Sequence, residues 1–153
     1  MKVKKVMNES VIVCNPGDVL KDAIDVMREN DCGAVPVVDG ELKPVGFVTD
    51  RDIALALGTS GLNASEMKIS ALLSRSVITC KRTENIERAL KKMKQNKVRR
   101  LPVVDEKGAV AGILSICDLL NMRKMKGKLR KRILLTLTAI CKADPIVLRE
   151  VAG

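Results

Sequence analysis

The sequence predicts an α+β fold: two pseudo-symmetric β-α-β-β-α units packed through their small sheets, then a basic C-terminal helical tail. Three observations predict it. First, "GFVTDRDI" (Gly46 to Ile53) and "GILSICDL" (Gly112 to Leu119) carry a glycine, a hydroxyl and a carboxylate at one spacing, 66 positions apart. Second, the same offset relates "SVIVC" to "SVITC", "VPVVD" to "LPVVD", and Leu20, Ala23, Ile24 and Met27 to Ile86, Ala89, Leu90 and Met93. An offset kept without insertion marks a tandem duplication. Third, beyond the second copy the repeat stops and positive charge accumulates. The expected division is 1–66 for the first unit and linker, 67–123 for the second unit, and 124–153 for the tail.

Each unit opens with a short apolar segment, Val3, Val6 and Met7 in the first copy and Ile69, Leu72 and Leu73 in the second. This segment is expected to feed a brief strand, Val11 to Cys14. An amphipathic helix follows over about 19–30, with Leu20, Ala23, Ile24 and Met27 at helical spacing. Asp18 is the expected N-cap, and Thr83 or Asn85 its counterpart in the second copy. Two strands, 34–38 and 45–49, are joined by the polar turn "DGELKP". A last helix begins near Asp50. One such unit has too little sheet to bury much surface, so two copies share a core. The stretch "GTSGLNASE" (Gly58 to Glu66) reads as the exposed linker.

Composition excludes several classes of function. The chain has 153 residues, 46% of them apolar, with one Phe and neither Trp nor Tyr. Its core is therefore aliphatic, and stacking platforms for single-stranded nucleic acid are lacking. There is no His, which removes Ser-His-Asp chemistry and His-ligated metals. No phosphate loop of the G-x-x-x-x-G-K-[ST] type occurs, so the chain reads as no enzyme, without cofactor or metal. The five cysteines, Cys14, Cys32, Cys80, Cys117 and Cys141, form no C-x-x-C. They read as reduced and mostly buried small hydrophobes, which suits a cytoplasmic location. No signal peptide is expected, and the apolar stretch "ILLTLTAIC" is far short of the roughly 20 residues a membrane span needs.

The duplicated unit with its G-x-x-[ST]-x-x-D signature resembles the CBS (cystathionine β-synthase) domain, and the tandem pair resembles a Bateman module. The resemblance spans roughly residues 3 to 123 and rests on "GFVTDRDI", "GAVPVVD", "VRRLPVVD" and "GILSICDL" in that order. It implies a non-catalytic sensor that binds adenosine compounds in the clefts between the paired units: AMP, ADP or ATP, and in some members S-adenosylmethionine, NAD or cyclic di-AMP. Occupancy would be relayed to a partner protein. It also implies a homodimer, with "IALALG" and "LLNM" supplying the contact.

The residue chemistry agrees with that implication. A ribose presents two adjacent hydroxyls, and an ionised carboxylate accepts hydrogen bonds from both. Asp52 and Asp118 fall in the first turn of a helix, where negative charge suits the dipole. Thr49 and Ser115, at strand ends, offer hydroxyls to ribose or phosphate. The amides of the following helix start are expected to be free for an anion. The alternative is that both carboxylates simply cap their helices. In the family pattern the base slot is walled by Ile12 and Ile78, with Gly33, Ala34 and Val35 in one copy and Arg99, Arg100 and Leu101 in the other. Arg100 is the expected phosphate ligand, Arg51 a second candidate, and Arg99 stands where the family often has His; for each Arg the alternative is a solvated surface role. Gly33 and Ala34 make the first-copy slot roomier and less basic than the second.

Residues 121–153 carry nine Lys or Arg and two acids. A helix is expected over about 129–142, docking through Ile133, Leu134, Leu137 and Ile140. Its basic cluster supports an alternative function, a nucleic-acid-associated regulator with the paired units as its sensing part. An anionic surface is a second possible target; the favoured reading of the cluster is a solvated basic face on a docking helix.

Overall fold

The computed structural model describes residues 1–73, 77–122, 125 and 127–142. The elements run α1 (Leu20–Glu29), β1 (Ala34–Val38), β2 (Pro44–Thr49), α2 (Asp50–Ser60), β3 (Cys80–Lys81), α3 (Ile86–Asn96), β4 (Arg100–Val104), β5 (Val110–Ser115), α4 (Ile116–Leu120) and α5 (Gly127–Cys141). Short 3-10 turns at Val3–Lys5 and Ile69–Leu72 open the two copies. The fold is the expected α+β duplication, with α5 added at the end.

The sheets repeat each other in register. β1 pairs antiparallel with β2 from Ala34↔Thr49 to Val38↔Pro44. β4 pairs with β5 from Arg100↔Ser115 to Val104↔Val110, and each hairpin carries an irregularity at the same place. The expected strand over 11–14 shrinks to one bridge, Cys14↔Val37. Cys14 donates to the Pro36 carbonyl and accepts from the Val38 amide. The next rung needs an amide at Pro36, and proline has none. In the second copy Pro102 stops the ladder at the same point, and β3 extends the other way, Cys80↔Val103 and Lys81↔Val104.

Two aliphatic cores result, and each is completed by the other copy. Cys14, Leu20, Ala23, Met27, Val35, Val37, Val48 and Ile53 enclose Ile69. Cys80, Ile86, Ala89, Leu90, Met93, Leu101, Val103, Leu114 and Leu119 enclose Val3 and Met7. The leading segments have thus crossed over and do not feed their own units. Hydrogen bonds fix the exchange. Val3 donates to the Glu84 carbonyl, and Asn8 and Ile113 exchange amide-carbonyl bonds. On the other side Ile69 donates to Asp18 and Ser70 to Pro16. Val3 and Ile69 are fully buried, so at roughly 1.5–3 kcal/mol per buried aliphatic side chain the exchange ties the two units firmly together.

Helix boundaries follow local chemistry. Val19, not Asp18, precedes α1, and its amide donates to Asp22 Oδ2 at 3.0 Å. Asp18 is occupied elsewhere: its Oδ2 accepts from the Asn15 amide at 2.7 Å and closes that turn. Of the two caps open for α3, Asn85 serves, accepting from Glu87 N at 3.1 Å. α2 runs three residues into the expected linker and stops at Gly61, whose φ of 71° suits glycine. α5 lies against α3 and α4. Ile133 and Thr136 are its buried positions, whereas Leu134 is 63% exposed and takes no part in docking. Arg132 pairs with Glu87 at 2.8 Å. The rest of the tail, 143–153, and Arg123, Lys124 and Lys126 lie outside the described residues.

All five cysteines are free. Cys14 and Cys80 are buried, Cys32 is half-buried, and Cys117 and Cys141 are exposed, so full burial holds for Cys14 and Cys80 only.

Candidate functional site

Each signature places its hydroxyl on the last residue of a strand and its carboxylate in the first turn of the next helix. Thr49 ends β2 and caps α2; Ser115 ends β5 and caps α4. The Thr49 hydroxyl accepts from the Asp52 amide at 3.1 Å and donates to Asp52 Oδ2 at 2.6 Å. The Ser115 hydroxyl accepts from the Asp118 amide at 3.1 Å, and Asp118 Oδ2 accepts from the Ser115 amide at 2.7 Å. The pair at 115 and 118 is a closed capping box. Capping is therefore what both signatures do in this structure. Each carboxylate keeps its Oδ1 without a hydrogen bond among the described residues.

The amides at the start of α2 are not free, contrary to expectation. Asp50 N donates to the Gly33 carbonyl at 3.3 Å, Arg51 N to Asp50 Oδ1 at 2.8 Å, and Asp52 N to Thr49. In α4, Ile116 N donates to the Arg99 carbonyl at 3.0 Å and Asp118 N to Ser115. An anion bound at the start of α2 must be met by side chains.

A cleft of about 770 Å³ opens between the two units, within the roughly 300–1,000 Å³ of small-molecule sites. Asp52 of the first copy lines it together with Ile78 and Arg100 of the second. Its apolar walls include Phe47, Leu73, Val77 and Val98, and Asn96 adds an amide. The structure thus joins the signature of one copy to the slot of the other. Phe47, Asn96 and Val98 were not singled out from sequence. Phe47 had a signal, since it is the chain's one aromatic residue and lies inside the signature.

The other candidates stand as follows. Thr49 is half-buried behind Asp52, and Arg51 is exposed on the first turn of α2. Arg99 is exposed, and its Nη2 approaches Cys141 Sγ at 3.8 Å, so the side chain is turned towards the end of α5. Gly33 is backed by Asp50, whose Oδ2 would lie 2.8 Å from an added Cβ. Ala34, Val35 and Leu101 are buried strand residues; Val35 and Leu101 belong to the two cores, which leaves only their peptide groups for any ligand. Ile12 is 49% exposed, unlike half-buried Ile78. Ser115 and Asp118 lie at the corresponding junction of the second copy, with Ile12 and Ala34 related to Ile78 and Arg100 by the 66-residue offset.

Comparison with known proteins places this architecture. The CBS domain family model matches twice, at residues 3–59 and 69–124. The chain is 33% identical over 123 residues to an inosine-5'-monophosphate dehydrogenase of Methanocaldococcus jannaschii, covering 80% of this chain but 24% of that enzyme. It is 35% identical over 118 residues to the CBS domain-containing protein YhcV of Bacillus subtilis, covering 76% of this chain and 81% of that one. A CBS domain pair solved with 5'-methylthioadenosine and S-adenosyl-L-methionine superposes with a TM-score of 0.70 at 27% identity, over 78% of this chain and 93% of that one. CBSX2 in complex with AMP superposes at 0.64 and 27%, over the same shares. The chain is a member of the CBS domain family and carries two CBS domains in tandem.

Proposed function

We propose that this protein is a non-catalytic sensor that binds an adenosine nucleotide in the cleft between its two CBS domains and relays occupancy to a partner. The observation that carries the reading is the meeting of Asp52, Ile78 and Arg100 in one cleft. A carboxylate suits a ribose diol, an aliphatic wall suits a purine face, and a guanidinium suits a phosphate. CBS pairs of the same fold, solved with AMP or with 5'-methylthioadenosine and S-adenosyl-L-methionine, support the ligand class. The dehydrogenase relative matches over only its CBS portion, so its chemistry does not carry over.

Relay follows from the exchanged leading segments. A ligand that changes how the two units sit against each other must move Val3, Met7, Ile69 and Leu73, each of which is anchored in the opposite unit. A two-state shift of that kind is what a partner would read. The working form of the sensor in this reading is a cytoplasmic homodimer. Among the described residues, no helix is long and apolar enough to cross a membrane.

The test is a thermal-shift panel of AMP, ADP, ATP, NAD, S-adenosylmethionine and cyclic di-AMP. A ligand at 100 times its dissociation constant stabilises by about 2.7 kcal/mol. A chain that none of the six stabilises is not an adenosine sensor.

A further inference from the structure

We infer that the two signatures are unequal, and that this chain holds one anionic adenosine nucleotide, between Asp52 and Arg100, and none at the corresponding place around Asp118; the inference rests on the nucleotide-sensor reading. Two independent differences lead to it.

The first is the state of the carboxylates. Asp118 is half-buried, and its Oδ2 is held by the Ser115 backbone amide at 2.7 Å, the capping bond of α4. Asp118 can offer a ligand its Oδ1, but turning both oxygens to a diol leaves that backbone amide without its partner. Asp52 is exposed, and among the described residues its Oδ2 is held only by the Thr49 hydroxyl at 2.6 Å. A hydroxyl rotates, so both oxygens of Asp52 can turn to a diol without orphaning a backbone group.

The second difference is charge. Arg100 lines the Asp52 cleft. Its counterpart by the 66-residue offset is Ala34, which is buried and uncharged. The counterpart of half-buried Ile78 is Ile12, which is largely exposed. The Asp118 side therefore presents a carboxylate whose orientation its cap fixes, no cation at position 34 and a half-exposed wall at Ile12. Arg100 becomes the residue that distinguishes a nucleotide from its nucleoside.

Equilibrium dialysis with AMP and with adenosine tests this on the full chain. The native protein takes up one AMP per chain. Asp52→Asn weakens that binding by about tenfold or more, with no second equivalent left behind. Arg100→Ala weakens AMP by about tenfold while adenosine changes little, so the preference for AMP over adenosine collapses. Melting curves confirm that both variants fold. Two AMP per chain, a full equivalent retained by Asp52→Asn, or an unchanged AMP-to-adenosine preference in Arg100→Ala overturns the inference and leaves the sensor reading standing. A native chain that binds neither AMP nor adenosine overturns the inference, while failure of the sensor reading itself requires that the other adenosine compounds also do not bind.

Discussion

Leu73, from the opening segment of the second copy, packs so closely over Gly46 of the first that a Cβ at position 46 would collide with its Cδ2. Met7 and Asn8 stand over Gly112 in the same way, with the Asn8 carbonyl oxygen 2.7 Å from where a Cβ would lie. The glycine of each signature is thus the place where the other copy's leading segment crosses. Its role is close approach.

The two crossings differ in what must yield. Leu73 offers the end of a side chain at Gly46, whereas Asn8 offers backbone at Gly112. Gly112→Ala is therefore expected to destabilise by about 1–3 kcal/mol, the usual cost of overpacking. Gly46→Ala should cost less, because Leu73 can change rotamer. Urea midpoints of the two variants check the order. Equal losses would mean that the exchange tolerates backbone movement at Asn8.

Much of this architecture was legible in the sequence, and the misses have physical reasons. Repeat, hairpins and the start of α2 at Asp50 come from short-range patterns that tertiary contacts did not override. The crossover did not show, because Val3, Val6 and Met7 and Ile69, Leu72 and Leu73 have the same apolar pattern and suit either core. The resemblance puts the ligand between the paired units, but the sequence assigns slot residues copy by copy, so the meeting of Asp52 with Ile78 and Arg100 does not show in it. Asp18 looked like a cap, but a turn at Asn15 claims its carboxylate. In α5 a run of apolar residues hid the docking stripe. The helical phase that buries Ile133 turns Thr136 inward and Leu134 outward.

That stripe gives a prediction. Ile133 is fully buried between α5 and the second unit, so Ile133→Ala is expected to cost about 2–5 kcal/mol. Leu134→Ala, at an exposed site, should stay within about 0.5 kcal/mol of native. Chemical denaturation of the pair reads the face of α5 directly. A large loss from Leu134→Ala would mean that a second chain covers that face in solution.

The buried cysteines set an alkaline limit on stability. Burial pushes the Cys14 thiol up to about 11 and the Cys80 thiol up to about 12, with Asp18 and Glu84 respectively adding to the shift. Unfolded thiols ionise near 9. Between these values the unfolded state has released protons that the native state keeps, so stability falls as pH rises. The contribution is complete below about 9 and declines progressively towards 11–12. Lysines titrate in the same range, so the comparison must be with a Cys14→Ala, Cys80→Ala double variant, whose stability should decline less steeply. In the native state, thiol reagents at neutral pH should modify exposed Cys117 and Cys141 and spare buried Cys14 and Cys80.

The final prediction separates α5 from the sensor. The cleft is lined by residues between Gly46 and Arg100, none of them in α5. A chain ending near Asn121 should therefore keep its affinity for adenosine nucleotides wherever it remains folded. It should also lose stability, because removing α5 takes Ile133 out of the second core and uncovers the partly buried places of Leu129, Leu137 and Ile140. The same cut removes the exposed cations Lys128, Arg130, Lys131 and Arg132. If these form a polyanion-binding surface, affinity for duplex DNA or RNA falls sharply in the short chain, and in the full chain it declines steeply with salt through counterion release. Nucleotide binding through one ribose carboxylate and one guanidinium should vary much less with salt. One contact argues for weak coupling between the parts, since Arg99 reaches Cys141 at the end of α5 and directly precedes Arg100. A change of a few-fold in AMP affinity on truncation is compatible with that contact. Complete loss of AMP binding by a short chain that still melts cooperatively would make α5 part of the site, and the assignment of the cleft to the two CBS domains alone would fail.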